Sequence, residues 1–107
     1  MNIQFKKGVL ELCVLSLLAR RDYYGYEIAG ALEEGVAAAE GSVYPLLRRL
    51  KEDGFVDTYL RESSEGPPRK YYRITSEGTA WLGELGAEWA KFSEAVNRIV
   101  EERDGQE

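Results

Sequence analysis

Apolar positions dominate the start of the chain. Val9, Leu10, Leu12, Cys13, Val14, Leu15, Leu17 and Leu18 are interrupted only by Glu11 and Ser16. A helix over residues ~4–20 would have almost no polar face, and a helix apolar nearly all round is buried on both sides. In a chain this short, that predicts contact with a second subunit as well as with its own core. Asp22–Gly25 reads as a turn. A second helix follows from Tyr26 to Glu34, with Ile28, Ala31 and Leu32 inward and Gly35 as its stop. Val36–Gly41 is a short connection of small residues.

The third helix starts near Ser42, a residue type suited to the N-cap. Pro45 then falls in the first turn, where its missing N–H has no partner to lose. Val43, Leu46, Leu47 and Leu50 form the buried stripe. Tyr44, Arg48 and Lys51 form the opposite stripe, with Arg49 beside it. Gly54 ends the helix. Phe55–Arg61 and Arg69–Ile74 are rich in Tyr, Val and Thr and read as two strands. The linker Glu62–Pro68 reads as a longer hairpin loop, stiffened by Pro67 and Pro68. Tyr71 and Tyr72 point to opposite faces of their strand, so one of them belongs to the core.

Thr75 caps the last helix, and Glu77 suits its positive end. This helix runs over residues ~76–103 and carries Leu85, Trp89, Phe92, Val96 and Ile99 at steps of four, three, four and three, which is a heptad seam. A lone seam of this length needs a partner. Trp81 lies off the seam and is expected to pack on its own domain. The tail Asp104–Glu107 is expected to fray.

Charge alters the picture only when read locally. The chain of 107 residues carries a net charge of −5, which by itself predicts poor attraction to DNA. Residues 1–74, however, hold 11 basic and 11 acidic side chains, and residues 75–107 hold 3 basic and 8 acidic. The acid surplus therefore lies wholly in the C-terminal segment. Gly41–Lys51 carries three basic residues and no acid, and Gly66–Thr75 does the same. Phosphate contacts are local, so a neutral domain with two basic patches remains competent for DNA.

Cys13 stands alone and there is no histidine. A disulfide framework is thereby absent, and the usual zinc and haem ligand sets are missing, so no cofactor or metal is expected. The same composition, with no paired carboxylates at a recognisable spacing, argues against an enzyme. Lys6 and Lys7 before the apolar run imitate a signal peptide. Glu11 interrupts the run, Arg20–Arg21–Asp22 follows it, and it is too short to span a bilayer. The expectation is a soluble, cytoplasmic protein without membrane contact.

A basic helix followed at once by a basic hairpin is the layout of a winged helix-turn-helix domain. The expected fold is mainly α (α+β): a winged helix-turn-helix over residues 1–75 with a two-stranded wing, and a long C-terminal dimerisation helix over 76–107. The candidate DNA contacts are Tyr24, Tyr26, Ser42, Tyr44, Arg48, Arg49, Lys51, Arg69 and Lys70. Tyr44 and Arg48, placed near the helix N-terminus, are the candidates for base contact. Ser42 and the first-turn amides suit a phosphate. Arg69 and Lys70 suit wing contacts to phosphate or the minor groove. Leu85, Trp89, Phe92, Val96 and Ile99 are the candidate dimer contacts. Each charge run has a plainer reading as a solvated face, and an alternative function is a winged-helix module that binds protein and not DNA. Glu11 either snorkels to solvent or faces a cavity that favours cationic ligands.

Three segments, Tyr24–Gly25–Tyr26–Glu27–Ile28, Gly41–Ser42–Val43–Tyr44–Pro45–Leu46–Leu47–Arg48–Arg49–Leu50 and Arg69–Lys70–Tyr71–Tyr72–Arg73–Ile74–Thr75, resemble the PadR family of bacterial transcriptional regulators. The resemblance covers about residues 5–103, and the single C-terminal helix is similar to the short, multidrug-sensing subgroup. It implies a homodimeric repressor joined through the first and last helices. Its third helices would enter adjacent major grooves of a palindromic operator, with half-sites about 34 Å apart. It also implies a cavity at the dimer centre for a flat aromatic effector, to which the Glu11 reading adds a cationic one. Trp89 would form its wall, and Gly8, Glu11 and Leu12 would line it.

Overall fold

The computed structural model describes residues 3–101, and the side chains of residues 8–101. The expected fraying of Asp104–Glu107 lies outside the described residues. The chain order is α1 (Ile3–Arg20), β1 (Tyr23–Tyr24), α2 (Gly25–Val36), α3 (Glu40–Glu52), β2 (Val56–Ser63), β3 (Gly66–Ile74) and α4 (Ser76–Glu101). Three helices and one face of a small antiparallel sheet enclose a core of Leu10, Val14, Leu15, Leu18, Ile28, Leu32, Val43, Leu47, Leu50, Val56 and Tyr72. This is a winged helix with a long last helix, as the alternation of apolar stripes predicts.

Four local expectations are corrected. Asp22–Gly25 is more than a turn: Tyr23 and Tyr24 pair with Tyr72 and Tyr71, so the wing hairpin belongs to a three-stranded sheet of order β1-β3-β2. A strand of two residues carries no period to read. The second helix runs past Gly35, and Ala37 takes the left-handed conformation (φ 57°) at its end. Ala38 is buried, and seating that methyl group in the core fixes where the chain turns. The third helix starts at Glu40 after Ala39, without a side-chain cap, so Ser42 is the third helical residue and not the N-cap. Pro45 consequently lies inside the helix and removes one intrahelical hydrogen bond. The hairpin loop is tight, because β2 reaches Ser63 and β3 begins at Gly66. A register shift between Arg61 and Ser63 places Pro67 and Pro68 where the ladder is interrupted, which is where a strand tolerates residues lacking an N–H.

The joint between α3, the sheet and α4 is tightly built. At the end of α3, Gly54 has φ 83°, and its N–H and that of Phe55 bond the carbonyls of Lys51 and Leu50, each at 3.0 Å. This closes the helix with glycine in the left-handed position it tolerates best. Thr75 caps α4 as expected: its Oγ1 accepts from the Gly78 N–H at 3.0 Å and donates to the Gly54 carbonyl at 2.7 Å. Gly78 sits so close to the chain that a Cβ there would overlap the Phe55 carbonyl oxygen. Trp81, one turn further on, stacks on Phe55 at 5.6 Å and packs against the core. Beyond Leu85, α4 continues past α1 with no buried residue.

Candidate nucleic-acid interface

The sheet's period of two decides where the wing cations go. Tyr72 is buried in the core, so Lys70, two residues earlier, shares its face. That face extends beyond the core toward the hairpin tip and meets α3. Between them lies a groove of about 520 Å³ lined by Tyr44, Leu47, Arg48, Lys51, Glu52, Lys70 and Tyr72. Thus the structure brings together Tyr44, Arg48 and Lys51 of α3 with Lys70 of the wing. Three cations face one carboxylate. Among the described residues, none of the three lies at salt-bridge distance from an acid.

Two phenols lie at the same site. Burial pushes the Tyr72 hydroxyl above the ordinary tyrosine range, partly opposed by the Arg48 charge. Burial, the Glu40 carboxylate and Tyr26 do the same for Tyr44. Both therefore remain protonated donors at neutral pH. Tyr26, at the start of α2, is exposed and near enough to Tyr44 to affect its hydroxyl. Gly25 lets α2 approach closely, since a Cβ there would meet the Tyr44 ring at 3.3 Å.

Other expected contacts are placed elsewhere. Arg48 is in the C-terminal half of α3, because the helix starts earlier than Ser42, and the first turn carries the Glu40 carboxylate beside exposed Ser42. The expected place of Arg48 near the helix N-terminus is thereby corrected; what points it to a ligand is its position facing the wing. Arg49 turns away from the groove toward α1, with Nη2 3.9 Å from Oε2 of Glu11. The two alternatives for Glu11 give way to a third: it is mostly buried and partnered by Arg49.

Arg69 lies on the opposite face of the sheet from Lys70. Its guanidinium sits 4.6 Å above the Tyr24 ring. Arg61 covers Tyr71 at 4.7 Å, and Arg73 covers Tyr59 at 5.2 Å. Tyr24, Tyr71 and Tyr59 form a row across the three strands, with ring centres 5.5 and 5.6 Å apart. The Tyr59 hydroxyl donates to Oδ2 of Asp22, which raises the Tyr59 pKa and ties β2 to the end of α1. Sequence reasoning missed Arg61, Arg73 and Tyr59. The signal was available in the alternation Arg69, Tyr71, Arg73 against Lys70, Tyr72, Ile74.

A second groove, of about 300 Å³, lies between α1 and α4. Gly8, Val9 and Leu12 line it from one side, and Leu85, Glu88, Trp89 and Phe92 from the other. Gly8, Leu12 and Trp89 thus meet as expected, while Glu11 points to Arg49. Leu85 also packs on the core. Trp89, Phe92, Val96 and Ile99 continue along α4 as an exposed apolar stripe, joined by Val100. Among the described residues, no helix is long and apolar enough to cross a membrane.

Known proteins share this architecture. The profile of the Transcriptional regulator PadR-like family matches residues 14–84. The crystal structure of a PadR-like transcriptional regulator from Bacillus cereus strain ATCC 14579 is 40% identical, with a TM-score of 0.81 over 91% of this chain and 96% of that one. An uncharacterised protein of Lysinibacillus sphaericus is 35% identical over 89% of this chain and 91% of its own length. The Escherichia coli (strain K12) transcriptional regulator YqjI is 33% identical over 75% of this chain, which spans only 39% of that protein. The family profile covers the winged body and the start of the last helix, the Bacillus cereus structure extends the likeness to 91% of the chain, and the chain belongs to the PadR-like family of transcriptional regulators.

Proposed function

We propose that the protein is a homodimeric repressor that binds a palindromic operator through the α3–wing groove. The observation that carries this reading is the convergence of Arg48, Lys51 and Lys70 with the Tyr44 hydroxyl in one open groove without a matching set of acids. Arg48 is assigned to a base edge, where a bidentate contact to guanine discriminates by about 1–3 kcal/mol. Lys51 and Lys70 are assigned to phosphate. The exposed stripe Trp89, Phe92, Val96 and Ile99 is assigned to the second protomer, and Leu85 to both the core and that interface.

The α1–α4 groove is assigned to a small-molecule effector. Trp89 supplies a flat aromatic wall, and the Glu88 carboxylate supports a flat aromatic or cationic ligand. An effector here would act on half-site spacing. Tilting α4 moves the Thr75–Gly54 joint, and Gly54 is bonded to the last turn of α3 through Lys51, so the recognition helix moves with it. The effector shifts the equilibrium only by its differential affinity for the two arrangements.

Fluorescence anisotropy with duplex DNA over a range of salt tests the groove. Lys70→Ala should weaken all sequences alike and reduce the salt slope by about one unit. Arg48→Ala should relax one operator position. A Lys70→Ala slope equal to wild type would remove the phosphate assignment, and an unchanged preference in Arg48→Ala would remove the base assignment.

A further inference from the structure

We propose that the outer face of the sheet is a second phosphate-binding surface, which takes the DNA backbone beyond the segment covered by α3. The proposal rests on the DNA-binding reading above and extends it to residues on the reverse of the wing.

Arg61, Arg69 and Arg73 are all exposed and share this face. Arginines on a sheet surface usually find carboxylates. Here each covers a tyrosine ring, and among the described residues no acid lies at salt-bridge distance from any of the three. Asp57 stands opposite Arg73 in the ladder without bridging it, and Asp22 accepts the Tyr59 hydroxyl. Three positive charges therefore share the face with two carboxylates, Asp57 and Asp22, and among the described residues pair with neither at salt-bridge distance.

Stacking uses the flat face of a guanidinium and leaves its N–H edge free. That edge is the part that binds a phosphate in bidentate fashion. The tyrosine row beneath is itself fixed, by the Tyr24–Tyr71–Tyr59 contacts and by the bond to Asp22, so the forks are preorganised. Arg69 and Arg73 are four residues apart, about 13 Å along the strand. A single phosphate cannot serve both, whereas a backbone with a rise of about 3.4 Å per nucleotide can.

Direction gives the location. Lys70 and α3 lie on the other face of the same hairpin, so the outer face looks away from the recognition helix. The phosphates it meets are those on the far side of the wing. An acidic peptide fits the face less well. Protein hot spots need pockets for side chains, and here the guanidiniums already cover the aromatic rings.

The test compares two duplexes carrying the same site, one cut flush and one extended by about 10 base pairs on each side, a helical turn. Wild type should bind the extended duplex more tightly and with a steeper salt slope. The triple variant Arg61→Gln/Arg69→Gln/Arg73→Gln should lose that gain and keep the flush-duplex affinity. Its slope should fall by about 0.9 unit for each phosphate it no longer neutralises. The triple lysine variant should restore the slope, which separates loss of charge from loss of folding. Overturning results are a gain from extension that survives in the glutamine variant, or a wild type that binds both duplexes equally. A glutamine variant that loses affinity for fluorescein-labelled polyglutamate but not for extended DNA would assign the face to an acidic protein instead. Wild-type protein that binds neither duplex at any salt would overturn the DNA reading and this proposal together.

Discussion

The winged body and the distal half of α4 are both rich in apolar residues, yet they use them in opposite ways. In the body, Val14, Leu15, Ile28, Val43, Leu47 and Leu50 are sealed from solvent. Along α4, only Gly78 is buried, and Phe92 and Ile99 are 49% and 75% exposed. The body closes on itself. The distal helix carries a seam of period 3.5 whose residues from Trp89 on stay partly exposed, Ile99 most of all. The contrast teaches that apolar content does not report where a core is; the spacing of the residues and the elements that can reach them do. Under the proposed function, the second half of the contrast is completed by another copy of the chain.

The sharpest way to break the comparison is to place a charge on the seam. Phe92→Glu should raise the dimer dissociation constant by an amount corresponding to about 3–5 kcal/mol, the scale of an uncompensated buried charge. The body should remain folded, which sedimentation together with near-ultraviolet circular dichroism would read. A dimer that survives the substitution would disprove the seam assignment.

The body should respond at a different place and in a different way. Gly78→Ala puts a methyl group against the Phe55 carbonyl, where only backbone movement can make room. We expect a loss of about 3 kcal/mol, the upper range for overpacking, independent of protein concentration in urea titrations. Unaltered stability would mean that α4 is not seated as described. Thr75→Ala removes the α4 cap and the bond to the Gly54 carbonyl, and should cost about 1–2 kcal/mol. Thr75→Ser, which keeps the hydroxyl, should recover most of it.

The smallest effect lies in alkaline stability. The folded state raises the Tyr59 pKa, chiefly through the bond to the Asp22 carboxylate, and burial raises that of Tyr72. A group with a raised folded pKa stabilises fully below its unfolded value, about 10 for tyrosine, and loses that contribution as pH rises through the folded value. The urea midpoint should therefore fall as pH rises above about 10, and Tyr59→Phe should flatten part of that decline. An identical decline in the variant would place the whole effect on Tyr72 and the other phenols.

Much of this was legible in the sequence because its signals are local. Thr75 before Glu77 marks a helix start, and Gly54 after Arg48, Arg49 and Lys51 marks a stop. The choice between Tyr71 and Tyr72 required only the pleat and the core. What escaped is tertiary. β1 exists because Tyr23 and Tyr24 find Tyr72 and Tyr71, far along the chain, as partners. Arg49 looks like part of the basic stripe until α1 places Glu11 beside it. Ser42 resembles a cap, but the helix begins earlier, at Glu40, and its N-cap Ala39 has a side chain that offers no signal. The division of Arg69 from Lys70 was legible in principle, since adjacent residues of a strand face opposite ways; treating them as one basic pair hid it.

The central claim is that a dimer of this chain reads DNA through the α3–wing groove. Its most direct test is selection from a random duplex library, with wild type and Arg48→Ala in parallel at two salt concentrations. The account predicts a palindrome with half-sites about one helical turn apart, blurred at one position per half-site in the variant. Recovery of nothing above background at low salt, or of the same palindrome from both proteins, would contradict it.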